Sequence, residues 1–355
     1  MVSGILHEPG GISSRFLARA LLLYSVIAPA HASPLFDEDS LLELQLRGPL
    51  KTMVRDKKKE DLDEYPFILK VGSVEIPVNV RVRGASRRVV CEFPPLRLNF
   101  SAESTRQTVF HGQDKLKLVT HCKSDSDQYQ NNLLEEYTAY RIFNVVSDAG
   151  YRVRLLRIRY VDTDEKLKNL DRAYYAFLIE PDRELAARLG ANMSELPGVP
   201  YSRLDADQTA RLYVFQYLIG NFDWSFVSPE NKPNCCHNVD LLERNGDLLP
   251  IPYDFDRSGL VNAKYAKPPK GIGIRRVTQR VYRGYCKVDI EKVAAALDET
   301  VRLRNDIMSV VANSPFVGDK GLATRIDYIA EFFERALGER DEVLKEFGND
   351  CIGPD

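Results

Sequence analysis

With 355 residues, 44% of them hydrophobic and 28% charged, the chain is long enough to bury substantial cores. Lys and Arg total 49 against 51 Asp and Glu, a formal net charge of −2, so no global basic excess points to nucleic acid. No internal repeat is visible.

The opening residues read as an export signal over residues 1–32. Arg15 and Arg19 precede an apolar stretch from Ala20 to Ala30, and Ala30-His31-Ala32 puts small residues before a cut at Ser33. The stretch is too short to cross a bilayer. Export makes the mature chain periplasmic or secreted. In an oxidising compartment Cys91, Cys122, Cys235, Cys236, Cys286 and Cys351 read as disulfides. Cys91 is expected to pair with Cys122, because both flank strand-like segments, and Cys286 with Cys235 or Cys236. A zinc site from Cys235, Cys236, His237 and Cys286 lacks the usual Cys-x-x-Cys spacing.

From Ser33 to Asp63 the chain is polar: a strand at Leu42–Leu46, a short helix, and a solvated loop holding Lys57-Lys58-Lys59-Glu60-Asp61. Phe67-Ile68-Leu69 is a second strand. Val74, Ile76, Val78, Val80 and Val82 then alternate with Glu75, Pro77, Asn79, Arg81 and Arg83 in a clear period of two. Pro77 there marks an edge strand or a bulge. The alternation stops at Arg83-Gly84-Ala85-Ser86-Arg87-Arg88, where glycine and basic residues could bring backbone close to a phosphate, although such a segment is more often only a turn. Pro94–Phe100 and Asp114–Val119 read as strands, the latter with Lys115 and Lys117 on one face.

The period changes at Tyr129–Val146, an amphipathic helix carrying Glu135 and Glu136. Strands at Tyr151–Val161 and Tyr174–Ile179 end at Glu180-Pro181. A helix at Asp205–Leu218, capped by Asp205, leads to Asn221-Phe222-Asp223.

Gly220 to Leu260 carries the candidate chemistry. Asp223 is followed by a polar loop ending at His237 and Asn238; two short strands then flank Asn245-Gly246 as a hairpin that ends at Asp254-Phe255-Asp256. Phosphoryl transfer uses such a set, one Asp to orient the attacking hydroxyl and an Asn with a second Asp to hold magnesium. The bland reading of Asp-x-Asp alone is a solvated turn. Farther on, Lys264, Lys267, Lys270, Arg275, Arg276, Arg280, Arg283 and Lys287 occur with no acid between them, which suits phosphate groups or an anionic membrane surface. Val288–Leu297, Val301–Val311 and Gly321–Phe347 read as closing helices.

Three segments, VRVRGASRR with PPLRLNF, YYAFLIEP and PIPYDFDRSG, resemble atypical protein-kinase-like proteins of the spore-coat protein H (CotH) type, over roughly Leu42 to Tyr285. They are similar to that family's Arg-Gly-Asn-Ser segment with its basic strand, its strand into the hinge, and its Asp-x-Asp motif. The resemblance implies an α+β, two-lobed protein-kinase-like fold. An N-terminal antiparallel sheet with one helix would span 33–180, and a mainly helical lobe 181–355. It implies ATP- and magnesium-dependent phosphorylation of a protein or cell-envelope substrate. On the matching positions it places Lys117 (or Lys115) and the Arg83 segment on the nucleotide phosphates, Glu136 against that lysine, and the backbone near Ile179 and Glu180 against adenine. Asp223 would be the catalytic Asp, with Asn238 and Asp254 on magnesium and Asp256 assisting. Two departures stand out. Ala85 replaces the Asn of the Arg-Gly-Asn-Ser segment, and Ser228 stands where a typical kinase carries its metal-binding Asn. They favour a second reading, a non-catalytic module that binds a partner or nucleotide without turnover.

Overall fold

The computed structural model describes residues 34–167, 170, 172–227, 235–318 and 321–353, together with Met1 and Gly4. Apart from those two, the export segment before Ser33 lies outside them, as does Ser228. Alternating sequence builds the first half. In chain order come β1 (Leu42–Gly48), α1 (Leu50–Arg55), β2 (Tyr65–Val71), β3 (Val74–Val82), α2 (Ser86–Val90), β4 (Leu96–Asn99), β5 (Lys115–Val119), α3 (Asp127–Val146), β6 (Val153–Asp162) and β7 (Ala173–Ile179). The strands hydrogen-bond in the order β1-β2-β3-β4-β5-β7-β6 and close into a barrel, because β6 returns to pair in parallel with β1 from Leu42↔Leu156 to Gly48↔Asp162.

This corrects the expected two-lobed kinase-like fold. The chain is α+β, but its first half is a closed seven-stranded mixed barrel and not an open antiparallel sheet. The physical reason is that alternation dictates which side chains face inward while saying nothing about which strand edges meet. Closure also removes the free edges that an open sheet leaves.

Within the barrel, Leu46, Val80, Leu98, Leu118, Ile158 and Leu178 form one buried core. The intervening residues Leu155 and Phe177 face outward yet are also buried, in a second core shared with α3 and the C-terminal helices. Strands covered on both faces read as continuous apolar runs, as β7 does. Pro77 is paired to β2 opposite Ile68, whereas β4 reaches only as far as Asn79, so the proline occupies a local edge.

The second half continues with α4 (Asp182–Arg188), β8 (Asn192–Met193), α5 (Ala206–Leu218), β9 (Val239–Arg244), β10 (Asp247–Pro252), α6 (Ile290–Arg302), α7 (Arg304–Asn313), α8 (Leu322–Gly338) and α9 (Arg340–Asp350). Asp205 caps α5 by accepting the Gln208 N–H at 2.8 Å. Asn245 and Gly246 turn the β9–β10 hairpin with φ of 56° and 95°, the left-handed pair that a tight two-residue turn demands. The expected helix Gly321–Phe347 is two helices that break at Glu339.

Cys91 is bonded to Cys122, as expected. Cys286 is bonded to Cys351 and not to Cys235 or Cys236, whose sulfurs are joined to each other. The zinc alternative therefore has no free thiolate among the described residues. These bridges are consistent with an oxidising compartment. Among the described residues no helix is long and apolar enough to cross a membrane.

Because Cys91 and Cys122 are 31 residues apart, replacing both with Ser should lower unfolding free energy in urea by about 3–4 kcal/mol. A pH dependence follows from His121, buried against Tyr174 and Phe93 with ring centroids 3.9 and 5.0 Å away. Burial, helped by nearby Arg172, pushes its pKa down to about 3. The unfolded chain then binds the extra proton first, so stability present above about pH 6.5 is lost as pH falls toward 3. Urea unfolding at pH 7 and pH 4 should show His121→Phe losing roughly 3 kcal/mol less than wild type over that interval.

Candidate functional site

The basic turn after β3 folds into α2 and delivers Arg87 to a cluster of carboxylates. Arg87 Nη1 and Nη2 donate to Glu136 Oε2 and Oε1 at 2.8 and 2.7 Å. Nη2 also donates to Asp254 Oδ1 at 2.7 Å, and Nε lies 3.1 Å from Asp256 Oδ2. Glu136 comes from α3, and both aspartates follow β10. Burial works against the charge of Arg87, yet the three carboxylates outweigh it and hold its pKa well above the usual value. One guanidinium does not serve all three equally. Burial pushes Glu136 up and Asp256 up to about 7. Asp254, although its enclosure acts in the same sense, is held below the ordinary carboxylate range by Arg87, Arg83 and Arg257.

Asp254 and Asn238 both adopt left-handed backbone, φ 59° and 55°. Non-glycine residues held there store strain of order 1 kcal/mol, and such positions cluster at functional sites. Asp254 is fixed in place by its N–H, which donates to the Tyr140 hydroxyl on α3 at 3.0 Å. Asn238 Nδ2 donates to the Asp223 carbonyl at 2.7 Å and to Asp223 Oδ2 at 3.3 Å. The other carboxylate oxygen, Oδ1, meets His237 Nε2 at 3.1 Å, and Arg257 Nε stands 3.6 Å from Oδ2. The hairpin thus brings Asp223, Asn238 and Asp254 into one neighbourhood.

Arg83 completes it. Its guanidinium makes no hydrogen bond or ion pair among the described residues, and burial lowers its pKa while the charge of Asp254 pulls the other way. A half-enclosed cation whose desolvation is offset only in part, by Asp254, can gain from an added anion.

Other expected residues fall elsewhere. Lys117 does not pair with Glu136: its Nζ meets Asp182 at 2.7 Å and lies over the Tyr151 ring at 5.4 Å, while Arg87 takes the glutamate. Lys115 is exposed on β5. Ile179 is paired on both sides, to Lys117 and Val153, and the Glu180 N–H donates to the Arg152 carbonyl at 2.9 Å. Arg188 holds the Glu180 carboxylate. That stretch therefore offers no open strand edge to an adenine ring.

Arg87 and Arg257 were not singled out by sequence, and His237 was considered only as a zinc ligand, not as a partner of Asp223. Arg87 and Arg257 sit inside the two most suggestive segments, but spacing does not tell Arg87 from Arg83 or Arg88.

Among the described residues no group of three or more His, Cys, Asp or Glu is arranged to hold a metal. Magnesium needs only one or two protein carboxylates beside water and phosphate oxygens. Asp254 fits that demand: its side chain is 41% exposed and no hydrogen bond among the described residues takes Oδ2. Asn238 is buried at 7% exposure with Nδ2 engaged by Asp223, so that only its Oδ1, which has no hydrogen bond among the described residues, could serve. Asp256 does not fit, being 5% exposed with Oδ2 shared by Arg87 and the Tyr265 hydroxyl, 2.9 Å away.

Neither a protein-family model nor a curated protein sequence matches this chain.

Removing Arg87 would leave buried carboxylates uncompensated. Arg87→Met should cost about 3–5 kcal/mol in urea unfolding, and Arg87→Lys should recover only part, since one ammonium cannot reproduce the two-pronged contact to Glu136.

Proposed function

We propose that this chain is an exported phosphotransferase that uses ATP with magnesium on a protein or cell-envelope substrate, related to the CotH-type kinase-like proteins that its motifs resemble. The observation that carries the proposal is Arg83, whose guanidinium has no hydrogen bond or ion pair among the described residues and is drawn by the charge of Asp254, the residue after the hairpin that also holds the Asp223–Asn238 pair.

In this reading Arg83 binds a phosphate oxygen. Asp254 and Asn238 hold magnesium, whose contribution would be to neutralise phosphate charge next to the carboxylates. Asp223 orients the acceptor hydroxyl and takes its proton. His237 and Arg257, on either oxygen of Asp223, fix the direction in which it faces. Exposed Lys264, Lys267 and Lys270 would contact anionic groups of the envelope. Arg280, by contrast, is turned inward on the carbonyls of Leu218 and Tyr328.

A second reading is favoured by Arg87, which already occupies the centre of Glu136, Asp254 and Asp256. A site whose carboxylates are so held binds nucleotide or a partner without turnover.

Thermal shift with ATP separates these readings. ATP should raise Tm more with magnesium than without; Arg83→Ala should abolish the shift, and Asp254→Ala its magnesium-dependent part. Asp223→Asn should leave the shift intact and lower radiolabelled phosphate transfer, autophosphorylation included, by orders of magnitude. Binding without transfer in wild type selects the second reading, and no ATP shift at all removes nucleotide from both.

A further inference from the structure

Between Asp256 and Asp289 the chain carries no Asp or Glu, although acids slightly outnumber bases in the whole sequence. The cations of that stretch divide in two. Arg257 and Arg280 turn inward, to Asp223 and to the carbonyls of Leu218 and Tyr328. Lys264, Lys267, Lys270, Arg275 and Arg276 are exposed, and their side chains form no ion pair or hydrogen bond among the described residues.

The loop that bears them is fixed at its base. Val261, Ala263 and Ala266 form a small core of their own, against which Tyr265 and Val277 pack. The Tyr265 hydroxyl donates to Asp256 Oδ2 at 2.9 Å, and Gln279 Oε1 accepts the N–H groups of Arg275 and Arg276, both at 2.9 Å. Its tip is open: at Gly271 and Gly273 no atom beyond the adjoining residues lies within 4 Å of where a Cβ would stand. Ile272 and Ile274, half-buried, belong to none of the buried clusters among the described residues. The tip thus sets apolar side chains left over from the cores among cations left over from the ion pairs.

We propose that this loop docks the protein on an anionic lipid bilayer, its exposed cations against the headgroups and Ile272 and Ile274 in the acyl boundary beneath them. Each Lys or Arg near such a surface strengthens binding about fivefold. The isoleucines select a bilayer over an acidic polypeptide, because hydrocarbon takes up apolar surface that a charged chain leaves in water. Tyr265 ties the loop to Asp256 and hence to the Arg87 cluster, so a docked loop holds the candidate site against the envelope. Docking deepens the envelope-substrate reading and rests on it for where the protein acts, yet it is measured without ATP, so its failure is distinct from a failure of phosphate transfer.

Flotation of the full chain with vesicles of phosphatidylglycerol mixed into phosphatidylcholine, against pure phosphatidylcholine, tests it. The chain should bind the mixed vesicles about tenfold or more tightly, and salt at about 0.5 M should remove most of the difference. Lys267→Gln, Lys270→Gln and Arg275→Gln together should weaken binding to the mixed vesicles about a hundredfold at unchanged Tm. Ile272→Ser with Ile274→Ser should weaken it about tenfold. Residues 1–32 are the same in every chain, so differences between chains report the loop. Equal binding to both kinds of vesicle, or equal binding by the Gln variant, overturns the proposal. So does a Ser variant that binds as wild type does, and tight binding of poly-L-glutamate would then assign the loop to an acidic protein segment. Should a variant not fold, the lipid comparison and the salt dependence in wild type decide.

Discussion

The geometry of the site depends on the charge balance around Arg87. One guanidinium joins the turn after β3 to α3 through Glu136 and to the end of the β9–β10 hairpin through Asp254 and Asp256. A buried ion cluster is a weak source of net stability, because desolvation consumes most of the attraction. Its effect here is positional. Barrel, helix and hairpin are held at one point, and none can shift without leaving a carboxylate unpaired.

Helix α3 transmits that constraint. Its Tyr140 packs against Phe177 of β7 and Phe255 between the two aspartates, with ring centroids 5.8 and 4.6 Å away. The same tyrosine accepts the Asp254 N–H, so the left-handed backbone of Asp254 is supported from the helix and not only from its own loop.

What could be read from sequence was local. The β3 alternation, the Asp205 cap and the Asn245-Gly246 turn each depend on residues within a few positions, and each formed where the pattern put it. Barrel closure was not legible, because parallel pairing of β1 with β6 leaves no mark on either strand's own period. The pairing of Lys117 was misplaced for a related reason. Strand register sets Lys117 opposite Ile179 on β7, and the chain that follows brings Asp182 to its ammonium, whereas Glu136 meets an arginine from a short helix that spacing alone could not assign. Cys286 likewise pairs with a cysteine from the far end of the chain.

The hairpin explains why the part of the site that was legible came out together. The ladder runs from Asp247↔Arg244 to Pro252↔Val239, so Asn238 and Tyr253 flank its open end, joined by the Tyr253 N–H donating to the Asn238 carbonyl at 3.1 Å. Asp254 is the next residue, and Asp223 hangs from Asn238 by the amide hydrogen bonds. Everything is counted from the turn. A slip of one residue would carry Asp254 away from Arg87 and, because β10 is buried on both faces, would force Leu248, Leu249 and Ile251 to repack on the opposite sides. The apolar strands that look merely structural are therefore what sets the separation of amide and carboxylate, and the short turn, by admitting only one register, specifies the site.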